Sequence, residues 1–159
     1  MFKELLRTDS SPAQLIIRLA LGVVMFPHGA QKVLGWFGGP GITKTLQVFA
    51  GMGFPAWSVS ALMVVESLGA VLLVFGFLTR LWAVGIGAII TICMFLSHVQ
   101  NGFFMNWFGQ QQGEGFEYHI LVIGICLALL IKGGGAFSVD GKLSSGSKYL
   151  YARQSSRFL

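Results

Sequence analysis

The sequence predicts an all-α integral membrane protein, a bundle of four transmembrane helices with a short interfacial helix in the first extracytoplasmic loop. Composition is the first reason: of 159 residues, 54% are hydrophobic and 11% charged, and the mean hydropathy is +0.72. Soluble domains carry about 25% charged residues, so this chain cannot form a soluble surface. The second reason is that four apolar stretches approach or reach the length of about 20 residues that a bilayer requires.

The four membrane helices are expected at about residues 13–34, 57–78, 81–98 and 117–132. Ser10-Ser11-Pro12 precedes the first, and a proline suits a first helical turn. We interpret this helix as retained and not as a cleaved signal peptide, because its apolar run is too long, Arg18 interrupts it and no good small-x-small cleavage site follows. The GWFGGPG segment at 35–41 ends it. We expect one domain over residues 1–142 and a basic cytoplasmic tail at 143–159.

The interfacial helix is predicted from the segment that follows the GWFGGPG break. Ile42, Leu46 and Phe49 recur there at helical spacing, with Thr43, Lys44 and Gln47 between them. One apolar face and one polar face are typical of a helix that lies on a membrane surface.

The distribution of basic residues predicts the orientation. With four spans, Lys3, Arg7, Arg80, Lys132 and the tail lie on one side, and the loop at 100–116 contains neither lysine nor arginine. Cytoplasmic loops carry the excess of basic residues, so both termini are expected in the cytoplasm. The net charge of +5 is therefore explained by membrane anchoring, and nucleic acid is not an expected partner.

Ionisable residues within the apolar stretches predict a functional layer. Arg18, His28 and Lys32 fall within an arc of about 80° on a helix, and ionisable groups inside membranes usually face an interior and mark function. Counting along alternating spans places His28, Lys32, His98 and Glu117 in the outer half, with Glu66 near the midplane. His28, Glu66, His98 and Glu117 are the candidate catalytic residues.

Several interpretations of these residues remain open. Glu66 either pairs with Arg18 or Lys32 in a salt bridge or carries protons as a neutral acid. His28 and His98 pack, donate to a quinone or proton relay, or ligate haem or copper. Lys32 either extends to the headgroups or binds an anionic group.

The first turn of the last helix and the two cysteines complete the candidates. His119 lies about 200° from Glu117 on a helix, so we expect Glu117 to point inward and His119 outward. Cys93 and Cys126 act either as buried thiols or as a redox pair. The sequence contains no nucleotide-binding loop and no zinc-type Cys/His spacing.

Five segments carry a family resemblance: RLALGVVMFPHGAQKVLGWFGGPG (18–41), VESLGAVLLVFGFLTR (65–80), SHVQNGFFMN (97–106), GFEYHILV (115–122) and SVDGK (138–142). The chain resembles the DoxX family of small bacterial membrane proteins in these segments and in their order. The resemblance implies a four-helix bundle in the bacterial cytoplasmic (inner) membrane and a role like that of a thiosulfate:quinone oxidoreductase subunit. It also adds Asn101 and Tyr118 to Arg18 and Lys32 as candidate substrate-binding or cofactor-binding residues.

The hypothesis from the sequence is a membrane subunit of an oxidoreductase system. It would pass electrons from a sulfur or thiol donor, or from a redox partner subunit, to membrane quinone, with protons handled by the buried residues. The expected partners are the lipid bilayer, quinone, such a redox subunit and further copies of the chain. The alternatives are a small transporter or permease and a non-catalytic assembly factor with a salt-bridged core.

Overall fold

The computed structural model describes residues 2–144, and within them the chain forms helices and loops without any strand. The all-α prediction is therefore confirmed for these residues, and all but the first two residues of the expected tail at 143–159 lie outside them. A single helical turn, Phe2–Leu5, comes first. The main helices are α1 Pro12–Leu34, α2 Gly41–Gly51, α3 Ala56–Phe75, α4 Thr79–Asn101 and α5 Glu117–Lys132.

Three of these helices, α1, α3 and α4, are long and apolar enough to cross a membrane. The fourth apolar helix, α5, has 16 residues, about 24 Å at 1.5 Å per residue, less than the hydrocarbon thickness of about 30 Å. Helix α3 ends at Phe75, three residues before the predicted end. Gly76 and Leu78 adopt left-handed conformations (φ 68° and 52°) that turn the chain into α4.

The predicted short amphipathic helix is present as α2, between α1 and α3. Its one buried residue, Thr45, donates from its hydroxyl to the Lys32 carbonyl at 3.4 Å. This contact fixes α2 across the end of α1, and the apolar residues Ile42 and Val48 remain exposed.

The core lies where the four apolar helices meet. Small and aliphatic side chains fill it: Leu21, Met25, Ala70, Leu73, Ala83, Ile86, Ile90, Val122, Cys126 and Leu129. The outer helix surfaces carry exposed large apolar residues, among them Ile16, Val23, Phe75, Val84, Ile92, Leu121 and Ile131. Soluble monomers rarely expose so much contiguous apolar surface, so this surface fits a lipid bilayer.

Helices α1 and α3 approach most closely at glycines of α1. A Cβ atom at Gly29 would lie 2.4 Å from the carbonyl carbon and oxygen of Glu66, and one at Gly22 would lie 2.6 Å from Val74 Cγ2. Small residues let helix backbones touch in membranes. The absence of a side chain at Gly29 therefore allows the α3 backbone at Glu66 to lie directly against α1.

Replacing Gly29 with alanine is expected to lower the free energy of unfolding by about 1–3 kcal/mol, because the added methyl overpacks a backbone contact. Gly124→Ala is the matched control, since a Cβ atom there meets nothing within 4 Å and alanine favours a helix. Denaturant unfolding of both variants in detergent micelles measures the difference. An equal response to the two substitutions would contradict the close approach of α1 and α3.

The N-terminal segment, the α3–α4 turn and the end of α5 meet at one end of the bundle, which we call the basic end. Arg80 joins them through its guanidinium, which donates to five backbone carbonyls: Glu4, Leu5, Arg7, Leu130 and Ile131. Asp140 accepts hydrogen bonds from the backbone N–H groups of Leu78 and Thr79 at 2.8 and 2.9 Å. Arg80 and Asp140 therefore hold the connections between helices.

Candidate functional site

The buried carboxylate of α3 pairs with the lysine of α1. Glu66 Oε2 lies 2.6 Å from Lys32 Nζ, and the exposed fractions of the two side chains are 7% and 21%. Lys32 Nζ also donates to the His28 carbonyl at 3.3 Å. Of the two salt bridges that the sequence allowed for Glu66, the structure contains the one with Lys32. We call these two residues the ion pair.

A wide helical turn in α3 positions Glu66. Residues Val65–Gly69 form a π-helical segment, and the Ser67 hydroxyl donates to the Met63 carbonyl at 2.6 Å within the same part of α3. Such π-bulges are rare and frequently occur at functional sites. The turn aims Glu66 at α1 where Gly29 lets the two backbones approach.

A second polar group lies between α4 and α5 and is formed by Cys93, His98 and His119. One ligand-type atom from each of these side chains lies within 4.8 Å of the other two. The imidazole rings of His98 and His119 lie close together, with centroids 4.2 Å apart, and are tilted by 44° to each other. We call this group the thiol–imidazole cluster.

His119 corrects the sequence prediction, which placed it on the outside of the last helix. It is buried, with 5% of its surface exposed, and it continues the buried stripe of Val122, Cys126 and Leu129 on α5. Its spacing of three and seven residues from Val122 and Cys126 was a usable signal. The helix is apolar nearly all round, however, so the sequence did not reveal which face is buried.

Glu117 was expected to point into the interior. In the structure it is half-buried and forms hydrogen bonds with the backbone of the loop before α5. Its carboxylate accepts a hydrogen bond from the Met105 N–H at 3.0 Å, and its own N–H donates to the Phe103 carbonyl at 2.9 Å. Asn101 has a similar task, because its side-chain amide donates to the Ser97 and Glu114 carbonyls at 3.2 and 3.0 Å. Both residues fold residues 102–116 over the end of the bundle.

Tyr118 is half-buried and packs against the core cluster. Its ring meets the His119 imidazole edge to face, with centroids 5.8 Å apart. Its buried hydroxyl has no hydrogen-bond partner within residues 2–144. Tyr118 therefore borders the thiol–imidazole cluster.

His28 lies outside the buried layer, contrary to the prediction from the shared arc. The residue is exposed, whereas Arg18, Met25 and Gly29 are buried and lie on one face of α1. His28 lies about 80° round the helix from Arg18, outside that buried face. Because His28 faces outward, it does not form a facing pair of interior imidazoles with His98.

Arg18 also stands apart from the ion pair. It precedes Lys32 by 14 residues of α1, about 21 Å along the helix axis, and it is 1% exposed. Its guanidinium donates to the Leu73 and Val74 carbonyls near the end of α3 and to the Ala136 carbonyl beyond α5. Arg18 therefore satisfies helix-end carbonyls near the basic end and does not contact the ion pair.

The two cysteines do not form a redox pair, although α4 and α5 are neighbours. Gly87 lies opposite Cys126, since a Cβ atom at Gly87 would be 3.3 Å from the Cys126 Cβ. Cys93 is six residues further along α4, about 9 Å away along the axis, and a disulfide needs Cα atoms about 4.4–6.8 Å apart. Both are free thiols in the structure.

An open groove of about 440 Å³ runs between α4 and α5. Its lining is apolar except for Thr91 and Cys126, and the Thr91 hydroxyl already donates to the Gly87 carbonyl at 2.7 Å. Ligand sites usually offer a few polar groups that orient the ligand. This groove therefore offers few groups that could orient a polar ligand.

The fold and the site together define a polytopic membrane protein with a charged and imidazole-bearing interior. The chain belongs to the DoxX family, whose model matches residues 13–99. It is 30% identical over 139 residues to a Bacillus subtilis (strain 168) protein named "Putative oxidoreductase CatD", covering 84% of this chain and 89% of that one. It is 27% identical over 130 residues to "Inner membrane protein YqjF" of Escherichia coli (strain K12), covering 82% and 91%. No solved structure gives a significant match.

Proposed function

We propose that this chain is a membrane subunit of a quinone-linked oxidoreductase, in which the ion pair of Lys32 and Glu66 handles the protons. The observation that carries the proposal is the ion pair itself: a carboxylate that is 7% exposed and a lysine that is 21% exposed, 2.6 Å apart among apolar helices. Ionisable groups at such depth are costly and mark proton or substrate pathways. The name of the B. subtilis relative supports the redox assignment.

The ion pair offers what a quinone carbonyl requires. The Lys32 side chain keeps part of its surface exposed, so its ammonium can donate a hydrogen bond to a carbonyl oxygen at the bundle surface. Glu66 lies behind it, where its carboxylate orients the ammonium. Lys32 gives a proton to that oxygen as the quinone is reduced, and a proton released by the donor restores the ammonium. A bound quinone supplies an acceptor for two electrons and two protons.

The proposed electron donor is a sulfur compound or a thiol on a partner protein. In the balanced reaction, two donor thiols lose two electrons and two protons and form one disulfide, while one quinone gains them and becomes quinol. Cys93 does not need to change oxidation state in this scheme.

In the proposed topology α5 is a fourth span and both termini face the cytoplasm of a bacterium, with the protein in its inner membrane. The N-terminal segment, Arg80 and the last turn of α5 share the basic end, as four antiparallel spans require. The excess of basic residues there matches the cytoplasmic side. The name of the E. coli relative agrees with this membrane.

Quinone binding and reduction test the proposal. The full-length protein in detergent is expected to retain quinone through purification, as measured by chromatography of its lipid extract. Membranes that contain it are expected to reduce decylubiquinone with thiosulfate or glutathione as donor. The double substitution Lys32→Met/Glu66→Gln, which removes both charges together, should lower the rate of reduction at least tenfold. Lys44→Met, at an exposed lysine of α2, should leave the rate unchanged.

One outcome of this experiment favours a different function. If the double variant folds and reduces quinone at the normal rate, the ion pair has a structural role only and proton handling by these residues is wrong. If neither quinone binding nor reduction is found in the unmodified protein, the salt-bridged core supports the alternative of a non-catalytic assembly factor.

A further inference from the structure

We infer that the thiol–imidazole cluster of Cys93, His98 and His119 is a metal site that binds one Cu(I) ion per chain. The three side chains come from α4 and α5, and their ligand-type atoms lie within 4.8 Å of one another. A three-coordinate metal about 2.0–2.3 Å from each donor separates the donors by about 3.5–4 Å. Side-chain rotations that bring the atoms about 1 Å closer therefore complete the site.

The backbone of α4 is shaped so that Cys93 and His98 can act together. They are five positions apart in the sequence, and in a regular α-helix their side chains would point about 140° apart. The segment Met94–His98 is instead π-helical, and the Val99 N–H donates to the Met94 carbonyl five residues earlier. The wider turn of a π-helix reduces the angle between the two side chains, which brings both toward α5.

His98 is held in the tautomer that a metal ligand requires. Its Nδ1 lies 2.9 Å from the Glu114 carbonyl oxygen, and a carbonyl can only accept, so Nδ1 carries the proton. Nε2 then has a free lone pair. A histidine that donates one ring N–H to a backbone carbonyl while the other nitrogen binds metal is a common arrangement in metalloproteins.

His119 supplies an independent observation. The residue is 5% exposed, and its buried Nδ1 has no hydrogen-bond partner within residues 2–144. Buried polar atoms are nearly always paired with protein, water or an ion. A metal ion between His119 and the residues of α4 would give this nitrogen a partner.

The donor set selects the ion. One thiol and two imidazoles are soft or borderline ligands, which suit copper and zinc and not Mg²⁺ or Ca²⁺. Structural zinc sites use four ligands, whereas the cluster offers three among the described residues. A trigonal Cys-His₂ set matches copper. One of the three interpretations left open by the sequence was that His28 and His98 ligate haem or copper; the structure groups His98 with Cys93 and His119 instead.

Anaerobic titration of the full-length protein in detergent with Cu(I), against the chromophoric competitor bicinchoninate, tests this site. One ion per chain is expected, and Cys93→Ser or His119→Gln should weaken its affinity about 100-fold or more. Cys126→Ser, at the other free thiol, should bind like the unmodified protein. X-ray absorption of the copper-loaded unmodified protein should show one sulfur and two nitrogen donors, a measurement that needs no variant.

Three results would overturn the inference: no saturable binding, equal affinity in Cys93→Ser and Cys126→Ser, or a copper environment without sulfur. Tighter binding of Zn²⁺ than of Cu(I) in a parallel titration would overturn the choice of copper. The test does not depend on quinone, so its outcome is separate from that of the proposed function.

Discussion

Replacing Lys32 with methionine is expected to lower the free energy of unfolding by about 3 kcal/mol or more, because it leaves the Glu66 carboxylate buried without its partner. Glu66→Gln should cost less. The lysine that remains is 21% exposed, compared with 7% for the glutamate, so its ammonium can turn toward water. Lys32→Met is therefore expected to destabilise more than Glu66→Gln, because the charge that it leaves unpaired is the more deeply buried one.

The double variant Lys32→Met/Glu66→Gln should recover most of the lost stability, since removing both charges removes the cost of burying either one. Denaturant unfolding of the unmodified protein, the two single variants and the double variant gives the coupling energy of the pair. Lys44→Met, at an exposed lysine, serves as the control and should change little. Additive effects of the two single substitutions would contradict the ion pair.

Substitution of Arg18 by methionine is the second large expected effect. The new side chain fills much of the space of the arginine stem but donates no hydrogen bond to the Leu73, Val74 and Ala136 carbonyls. Hydrogen bonds to charged groups contribute about 1.5–3 kcal/mol each, and buried acceptors left unpaired add to the loss. We expect the free energy of unfolding to fall by about 3 kcal/mol or more.

Arg7→Met is the matched control for Arg18. Arg7 pairs with Glu4 at 3.4 Å, but the side chains are 75% and 73% exposed, and surface pairs contribute about 0–1 kcal/mol. Thermal unfolding in the same detergent compares the two variants. A similar loss in both would mean that Arg18 is not the buried connector between α3 and the segment after α5. If Arg18→Met instead lowers the rate of quinone reduction without loss of stability, Arg18 is a functional residue after all.

The fold was largely readable from the sequence because its signals are local. Runs of apolar residues predicted α1, α3, α4 and α5, and the spacing of Ile42, Leu46 and Phe49 predicted α2. Glycine and proline marked the breaks, since they act on the backbone near them. The end of α3 was misplaced although Gly76, whose left-handed conformation ends the helix, was a usable signal. The left-handed conformation of Leu78 could not have been predicted, because leucine rarely adopts it.

The candidate site was readable only in part. Depth along each span allowed Glu66 to pair with Lys32 or with Arg18 and did not decide between them. It also placed His28 in the outer layer, although the residue is exposed in the structure. Whether a residue is buried depends on which face of the helix carries it, as well as on its depth. An arc of about 80° on α1 is wide enough to include both buried and exposed residues. On α5 the apolar residues surround the helix, so no face was marked and His119 was missed as a partner of Cys93 and His98.

By itself, the sequence determined that this protein is helical and membrane-embedded and which residues are costly to bury, because hydrophobicity and charge are properties of single residues. Only the tertiary structure decided that Glu66 pairs with Lys32 and not Arg18, and that His98 meets His119. These pairings depend on helix rotation, on the wide turns in α3 and α4 and on the close approach at Gly29. Such features arise from the packing of several helices at once.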